Sequence, residues 1–431
     1  MIAVLKNTWA LLLGMLLLMI GNGLQGTLLG VRGSLEQMNS TTMGYIMSAY
    51  FIGFLGGSQI TPRLLRRVGH VRVFAALGSL VSAAFILYAA VVDPRAWWLF
   101  RLMVGFCISG MYVVAESWLN DGANNETRGQ ALSLYLIVQM AGMVIGQLLL
   151  NVGDPGSYDL FVLITVLVSV SFAPILLSTS PAPVHEASRP MKIPDLIKAS
   201  PLACVGTFLL GGIYANLFAM APVYATERGM PINEVSYFIT SIFVGSLIFQ
   251  YPIGWFSDRM DRRVLIMLLT AVGSIAAALA VWFGDSFSVL LLVALILGGT
   301  SGPLYSLLVA YANDYLEADQ MAAASGGLLF LNGSGAMGGP IIVGFLMNNF
   351  GIEWFFISIT LLMSTICIYG FYRMSQRDTV DTEDMAPYLP ISARTTVVST
   401  EYAIEHAEEA DLEEKEERDE TFSDESEESS E

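Results

Sequence analysis

Twelve stretches of this chain are long and apolar enough to cross a bilayer as helices, and that limits the fold more than any other feature. The hydrocarbon core needs about 20 largely apolar residues. The first six stretches run 8–31, 42–62, 71–92, 96–119, 129–152 and 158–177. The second six run 202–226, 234–256, 263–284, 286–311, 321–349 and 353–373. Backbone in lipid must satisfy its own hydrogen bonds, which leaves helices or closed barrels. A barrel would show alternating segments of about ten residues, and none is seen. The expected fold is an all-α polytopic membrane protein.

Composition narrows this further. Apolar residues make up 54% of the chain and charged residues only 14%, against about 25% charged in soluble domains. The net charge of −17 sits at one end: residues 1–377 hold 18 basic and 18 acidic side chains, whereas 378–431 hold 3 basic and 20 acidic. The main body therefore has no bias toward nucleic acid, and 376–431 reads as an acidic, disordered cytoplasmic tail. Cys107, Cys204 and Cys367 fall in apolar runs without metal-ligand spacing, as buried hydrophobes do. His70, His185 and His406 lie outside those runs and far apart, so no histidine cluster is expected. No G-x-x-x-x-G-K-[ST] phosphate loop occurs, and no cofactor is implied. The run Trp9–Ile20 after Lys6 has the outline of a signal peptide. It continues past Gly30 without a small-residue cleavage site, so it reads as the first helix.

Between the sixth and seventh stretches the pattern breaks. Pro181, Pro183, Pro190 and Pro194 accompany Arg189, Lys192 and Lys198. Residues 178–201 therefore read as a cytoplasmic linker joining six-helix bundles at 1–177 and 202–375. Loop charge sets orientation. With the N-terminus inside, fourteen basic residues face the cytoplasm: Lys6, Arg63, Arg66, Arg67, Arg72, Arg128, Arg189, Lys192, Lys198, Arg259, Arg262, Arg263, Arg373 and Arg377. Only Arg32, Arg95 and Arg228 face outward. Both termini are expected in the cytoplasm.

The two bundles match each other at a nearly constant offset. Tyr112 precedes Asn120-Asp121 by eight residues, and Tyr305 precedes Asn313-Asp314 likewise, an offset of 193. Gln139, Gly142 and Gly146 match Asn332, Gly335 and Gly339 at the same offset. Asn22 matches Asn216 at 194, and Arg63, Arg66 and Arg67 match Arg259, Arg262 and Arg263 at 196. Repeated six-helix units with a site between them are a transporter architecture.

Charge inside a membrane is costly and marks candidate function. Two such residues lie on the fourth stretch, Arg101 toward its outer end and Glu116 toward its inner end. Fifteen residues at 1.5 Å each separate them by roughly 22 Å, too far to pair. Arg101 either offers its donor fork to an anionic or polar solute or holds helix ends together and snorkels to the interface. Glu116 either holds a coupling proton or pairs with Arg63, Arg66 and Arg67 to lock the inner gate. Asp258 with Arg259, Arg262 and Arg263 reads as a conformational latch before a solute contact. Neutral polar residues near mid-span complete the candidates: Asn22, Gln25, Tyr112, Gln139, Tyr214, Asn216, Tyr305 and Asn332. Each offers donors and acceptors without buried charge, and each is equally suited to bonding between helices. Gly142-x-x-x-Gly146 and Gly335-x-x-x-Gly339 fit close helix contacts.

Gly254-Trp-Phe-Ser-Asp258-Arg259-Met-Asp261-Arg262-Arg263 resembles the cytoplasmic loop signature of the major facilitator superfamily (MFS). Arg101 with Gly105 resembles that superfamily's R-x-x-x-G element, and Gly142, Gly146, Gly335 and Gly339-Pro340 resemble its glycine-rich fifth and eleventh helices. The stretches Ala115–Asn120, Arg66–His70 and Arg128–Gln130 are similar to the YcaD-like bacterial subgroup. Pro62 stands where the second half has Asp258, so the loop signature is incomplete in the first half. The resemblance implies two pseudo-symmetric bundles, a cavity lined by helices one, four, seven and ten with five and eleven beside them, and a bacterial inner-membrane location. The expected function is secondary transport of a small solute by alternating access, in a monomer, with proton coupling open. The alternatives are a receptor or sensor on a transporter scaffold and, last, a membrane-embedded enzyme.

Overall fold

A computed structural model of the chain describes residues 2–121, 125–176, 191–316, 318–376 and Tyr388, the side chains of 2–7, 120–121, 125–129, 318–319 and 322 excepted. The acidic tail beyond Gln376, Tyr388 apart, lies outside the described residues, as do Arg189, Arg377 and the side chains of Lys6 and Arg128. Among the described residues, twelve long helices carry the fold. In the first half they are α1 (Ile2–Leu35), α2 (Ser40–Val68), α3 (His70–Ala90), α4 (Pro94–Asp121), α5 (Asn125–Leu149) and α6 (Asp159–Leu176). In the second they are α7 (Pro201–Glu227), α8 (Ile232–Ser257), α9 (Arg262–Phe283), α10 (Phe287–Asn313), α11 (Ala318–Phe350) and α12 (Trp354–Met374). No strand occurs among the described residues. The segment expected as a plain linker contains a short helix, Ile193–Ala199, held to α11 by the bond from Met191 N to Ala323 O, 3.0 Å.

Eleven of these helices are long and apolar enough to cross a membrane. The other, α2, is 29 residues long and less apolar. Its Gly and Ser positions face protein: it lies between α4 of its own half and α11 of the other. Helix ends follow local chemistry. Asn39 caps α2 by accepting from Thr42 N at 2.8 Å. A single residue, Gly69 at φ 84°, separates α2 from α3, a left-handed conformation that favours glycine. The matching joint in the second half is longer, and Asp261 caps α9 by accepting from Arg263 N at 2.9 Å.

The duplication reaches individual contacts. A Cβ built on Gly105 of α4 would fall 2.0 Å from Tyr50 O of α2; one on Gly298 of α10 would fall 1.9 Å from Ile242 O of α8. The same repetition joins α1 with α5 and α7 with α11: Gly142 faces Leu16 O as Gly335 faces Phe208 O. Each pair is related by an offset of 192 or 193 residues. Only hydrogen fits at these crossings, so glycine sets the distance between the helices.

The halves close on each other at the end remote from the linker. There Ser40 donates to Glu227, Gly44 of α2 meets Pro340 O of α11, and Ser236 of α8 donates to Gln147 O of α5 at 2.6 Å. Asn151 adds a bond to Ser236 Oγ at 3.0 Å. Toward the linker end α5 and α8 line a vestibule of about 520 Å³.

Candidate functional site

A cavity of about 100 Å³ lies between the halves, lined from α1, α2, α4, α5, α7, α8 and α11. Of the sequence candidates, Asn22, Arg101, Tyr214 and Asn332 line it; so do Tyr50, Phe51, Phe54 and Gln147, which are not among those candidates. Arg101 is 5% exposed, so it neither snorkels nor sits at a helix end. Its Nη1 donates to Gln25 Oε1, and its guanidinium lies 4.8 Å from the Tyr50 ring centroid. Gln25 is thus behind the wall, orienting the arginine. Asn332 donates to Thr207 O at 3.1 Å, and Gln147 donates to Gly23 O at 2.8 Å.

Aromatic rings divide this cavity from the vestibule below. Tyr214, Phe218 and Phe243 line both. Phe218 stacks on Tyr214 with centroids 5.6 Å apart and lies 4.9 Å from Phe243. Tyr214 is anchored by donating to Gly302 O at 2.9 Å. The local cause is a π-turn in α7, Asn216–Met220, in which Ala221 N reaches Asn216 O. Pro222 follows, has no N–H for the Phe218 carbonyl and crowds it, so the turn before it widens. Such π-turns are frequent at functional sites.

Four candidates point elsewhere. Tyr112 donates to Met19 Sδ at 3.0 Å and packs edge-on to Phe54. Tyr305 is 1% exposed inside the second bundle. Gln139 is buried with Nε2 unbonded, and Asn216 is fully buried with neither amide atom bonded. None of the four lines the cavity.

At the linker end each half carries a polar cluster. In the first, Glu116 is fully buried and accepts from Tyr135 Oη at 3.3 Å. Beside it His70 bonds Ser117 Oγ at 3.0 Å and packs edge-on to Trp118. His70 lies outside the apolar runs of the sequence, yet it is 4% exposed because α3 begins with it, pressed against α4. Arg63, Arg66 and Arg67 are exposed, and among the described residues no ion pair joins them to Glu116. In the second half Arg262 is 1% exposed. It donates to Asp314, to Ala310 O at 3.1 Å and to Ser257 Oγ at 3.1 Å, with Asp258 at 3.5 Å. Arg263 pairs with Asp261 at 2.9 Å, and Arg259 lies 4.3 Å from the Trp255 ring centroid. These contacts tie α8, α9 and α10 together within one bundle. Tyr388 reaches the same place: its N donates to Asp258 at 3.0 Å and its Oη accepts from Gln250 at 3.0 Å. Burial pushes its phenol pKa up.

Two duplicated six-helix bundles around a cavity with one buried charge and an amphipathic wall have the architecture of a membrane transporter. The Major Facilitator Superfamily description matches residues 11–202 and again 202–399, and the chain belongs to that superfamily. Within it the chain groups with YcaD-like proteins. An uncharacterized MFS-type transporter of Yersinia pestis (strain Pestoides F) is 26% identical over 351 residues, 81% of this chain and 91% of that protein. The MFS-type transporter YcaD of Escherichia fergusonii is 25% identical over 355 residues, with the same coverage. Among solved structures, a variant of the nucleoside transporter NupG superposes with TM-score 0.72 at 16% identity, covering 85% of this chain and all of that one. A bacterial homologue of the human lysosomal transporter Spinster, inward-facing and occupied, gives TM-score 0.69 at 13% identity, covering 88% and 98%. At these identities the likeness is one of fold.

Proposed function

We propose that this protein carries a small polar or amphipathic solute across the bacterial inner membrane by alternating access, with both termini in the cytoplasm. The observation that carries the reading is the cavity itself: it lies on the pseudo-symmetry boundary, shut at one end by α1–α7, α2–α11 and α5–α8 contacts, and separated from the vestibule by Phe218 and Phe243. With the basic loops in the cytoplasm, the vestibule opens inward. Rocking of the halves would break the far-end contacts and close α5 on α8. The intrabundle ties of Arg262 keep the second half rigid while it moves. Glu116 is the candidate coupling site, supported by its full burial in the first bundle and its bond from Tyr135.

Purified protein in proteoliposomes, assayed with a broad solute panel under imposed pH gradients, tests this. Saturable flux of at least one solute is expected. Folded protein that moves nothing across the panel would count against transport. Full proton-driven flux by Glu116→Gln would remove Glu116 as the coupling site and leave the cavity reading standing.

A further inference from the structure

We propose that the cavity takes a small organic anion, a carboxylate or similar oxyanion on an apolar body of aromatic size, with Arg101 as its counter-charge. This rests on the transport reading above and names the class of its cargo.

Three observations converge. First, Arg101 is the one charged residue lining the cavity, and no acidic residue pairs with it among the described residues. It is 5% exposed, its Nε has no partner, and its neighbours Gln25 and Tyr50 are neutral. A buried guanidinium held open by neutral groups is costly unless an anion completes it. Its planar fork fits carboxylate geometry. Second, the other walls do not suit an inorganic ion. Phe54, Phe218, Phe243, Met143 and Ile239 present apolar surface, which leaves a small hydrated anion without partners for most of its shell. Third, the dimensions divide the solute. The cavity holds about 100 Å³, less than the roughly 150 Å³ engineered space that accepts benzene. It therefore seats the charged head and a few carbons. The apolar body reaches the vestibule of about 520 Å³ when Phe218 and Phe243, in contact at 4.9 Å between centroids, part to admit it.

The test is a thermal-shift and calorimetric comparison on the full chain in nanodiscs. The probes are 3-phenylpropionate, its neutral amide, the matching amine 3-phenylpropylamine, octanoate and inorganic phosphate. The carboxylates are expected to raise the melting temperature by on the order of 5 °C at a hundredfold excess over Kd. The amide, amine and phosphate are expected to bind at least tenfold more weakly. Arg101→Gln should lose the carboxylate response, and Arg101→Lys should keep part of it. Gln25→Glu serves as a second, near-isosteric variant. It places an internal carboxylate against Arg101, so it should raise the melting temperature of the free protein and abolish the response to carboxylates. Equal binding of amide or amine, an undiminished response in Arg101→Gln, or no carboxylate response across the set would overturn the proposal. Phosphate binding alone would also overturn it, in favour of an inorganic anion site. Flux of a neutral solute that Arg101→Gln leaves intact would remove the anion class and keep the transport reading. Carboxylate binding with no flux of any panel solute would do the reverse.

Discussion

Adding one methyl group at Gly105 should loosen the first bundle and disturb the cavity together. The new Cβ would lie 2.0 Å from Tyr50 O and 2.8 Å from Tyr50 C. Carbon and carbonyl oxygen approach comfortably only to about 3.3 Å, so α2 must retreat by roughly 1 Å at this crossing. Overpacking of that kind costs about 1–3 kcal/mol. The displaced residue is the one whose ring lies 4.8 Å from the Arg101 guanidinium, so solute binding should weaken as well. Gly298→Ala is the internal control. Its methyl would lie 1.9 Å from Ile242 O, and its cost should match within about 1 kcal/mol while Tyr50 stays in place. Unfolding of the purified variants in mixed micelles by SDS titration gives both energies. If either variant falls within about 0.5 kcal/mol of the unmodified protein, the close crossings do not set the packing and the reasoning fails.

Three further outcomes are expected. Arg262→Ala leaves Asp314, 3% exposed, without its cation and should cost about 3–5 kcal/mol; Arg262→Met with Asp314→Leu should cost much less, and equal losses for the two in the same titration would contradict the pairing. Asn216→Leu removes an amide that bonds nothing and is fully buried, so stability should hold or rise; a loss above about 1 kcal/mol would contradict the reading that its amide stabilises nothing here. Tyr388→Ala uncovers the vestibule beside Gly254, so a maleimide should label Ser246→Cys several times faster; an unchanged rate would show that the ring does not obstruct the mouth.

The spans were legible because lipid leaves no room for a mixed signal: backbone crossing it must be helical and apolar. The repeat was legible because glycine crossings leave their spacing in the sequence, as Gly142 with Gly335 shows. Arg101 stood out as a charge among apolar residues, but not its depth, which depends on Gln25 and Tyr50 from two other helices. Tyr50, Phe51 and Phe54 carried no distinguishing signal, since aromatics on an apolar helix face lipid as readily as a cavity. Asn216 shows the opposite limit. The π-turn before Pro222 adds a residue to one turn and rotates the remainder of the helix by about 100°, so regular spacing on α7 places its side chains on the wrong faces. His70 lies just outside an apolar run, where only the contact between α3 and α4 reveals its burial.

Paired spin labels test whether the two halves exchange access around the cavity, without knowledge of the cargo. One pair replaces Asn151 and Ser236, which bond at 3.0 Å across the closed end. The other replaces Ile137 of α5 and Leu247 of α8, which both line the vestibule. Distance distributions in nanodiscs, with and without the anions above, should show two populations at each end. A longer distance at the far end should accompany a shorter one at the vestibule. A single unchanging distance at both ends in every condition would contradict the account.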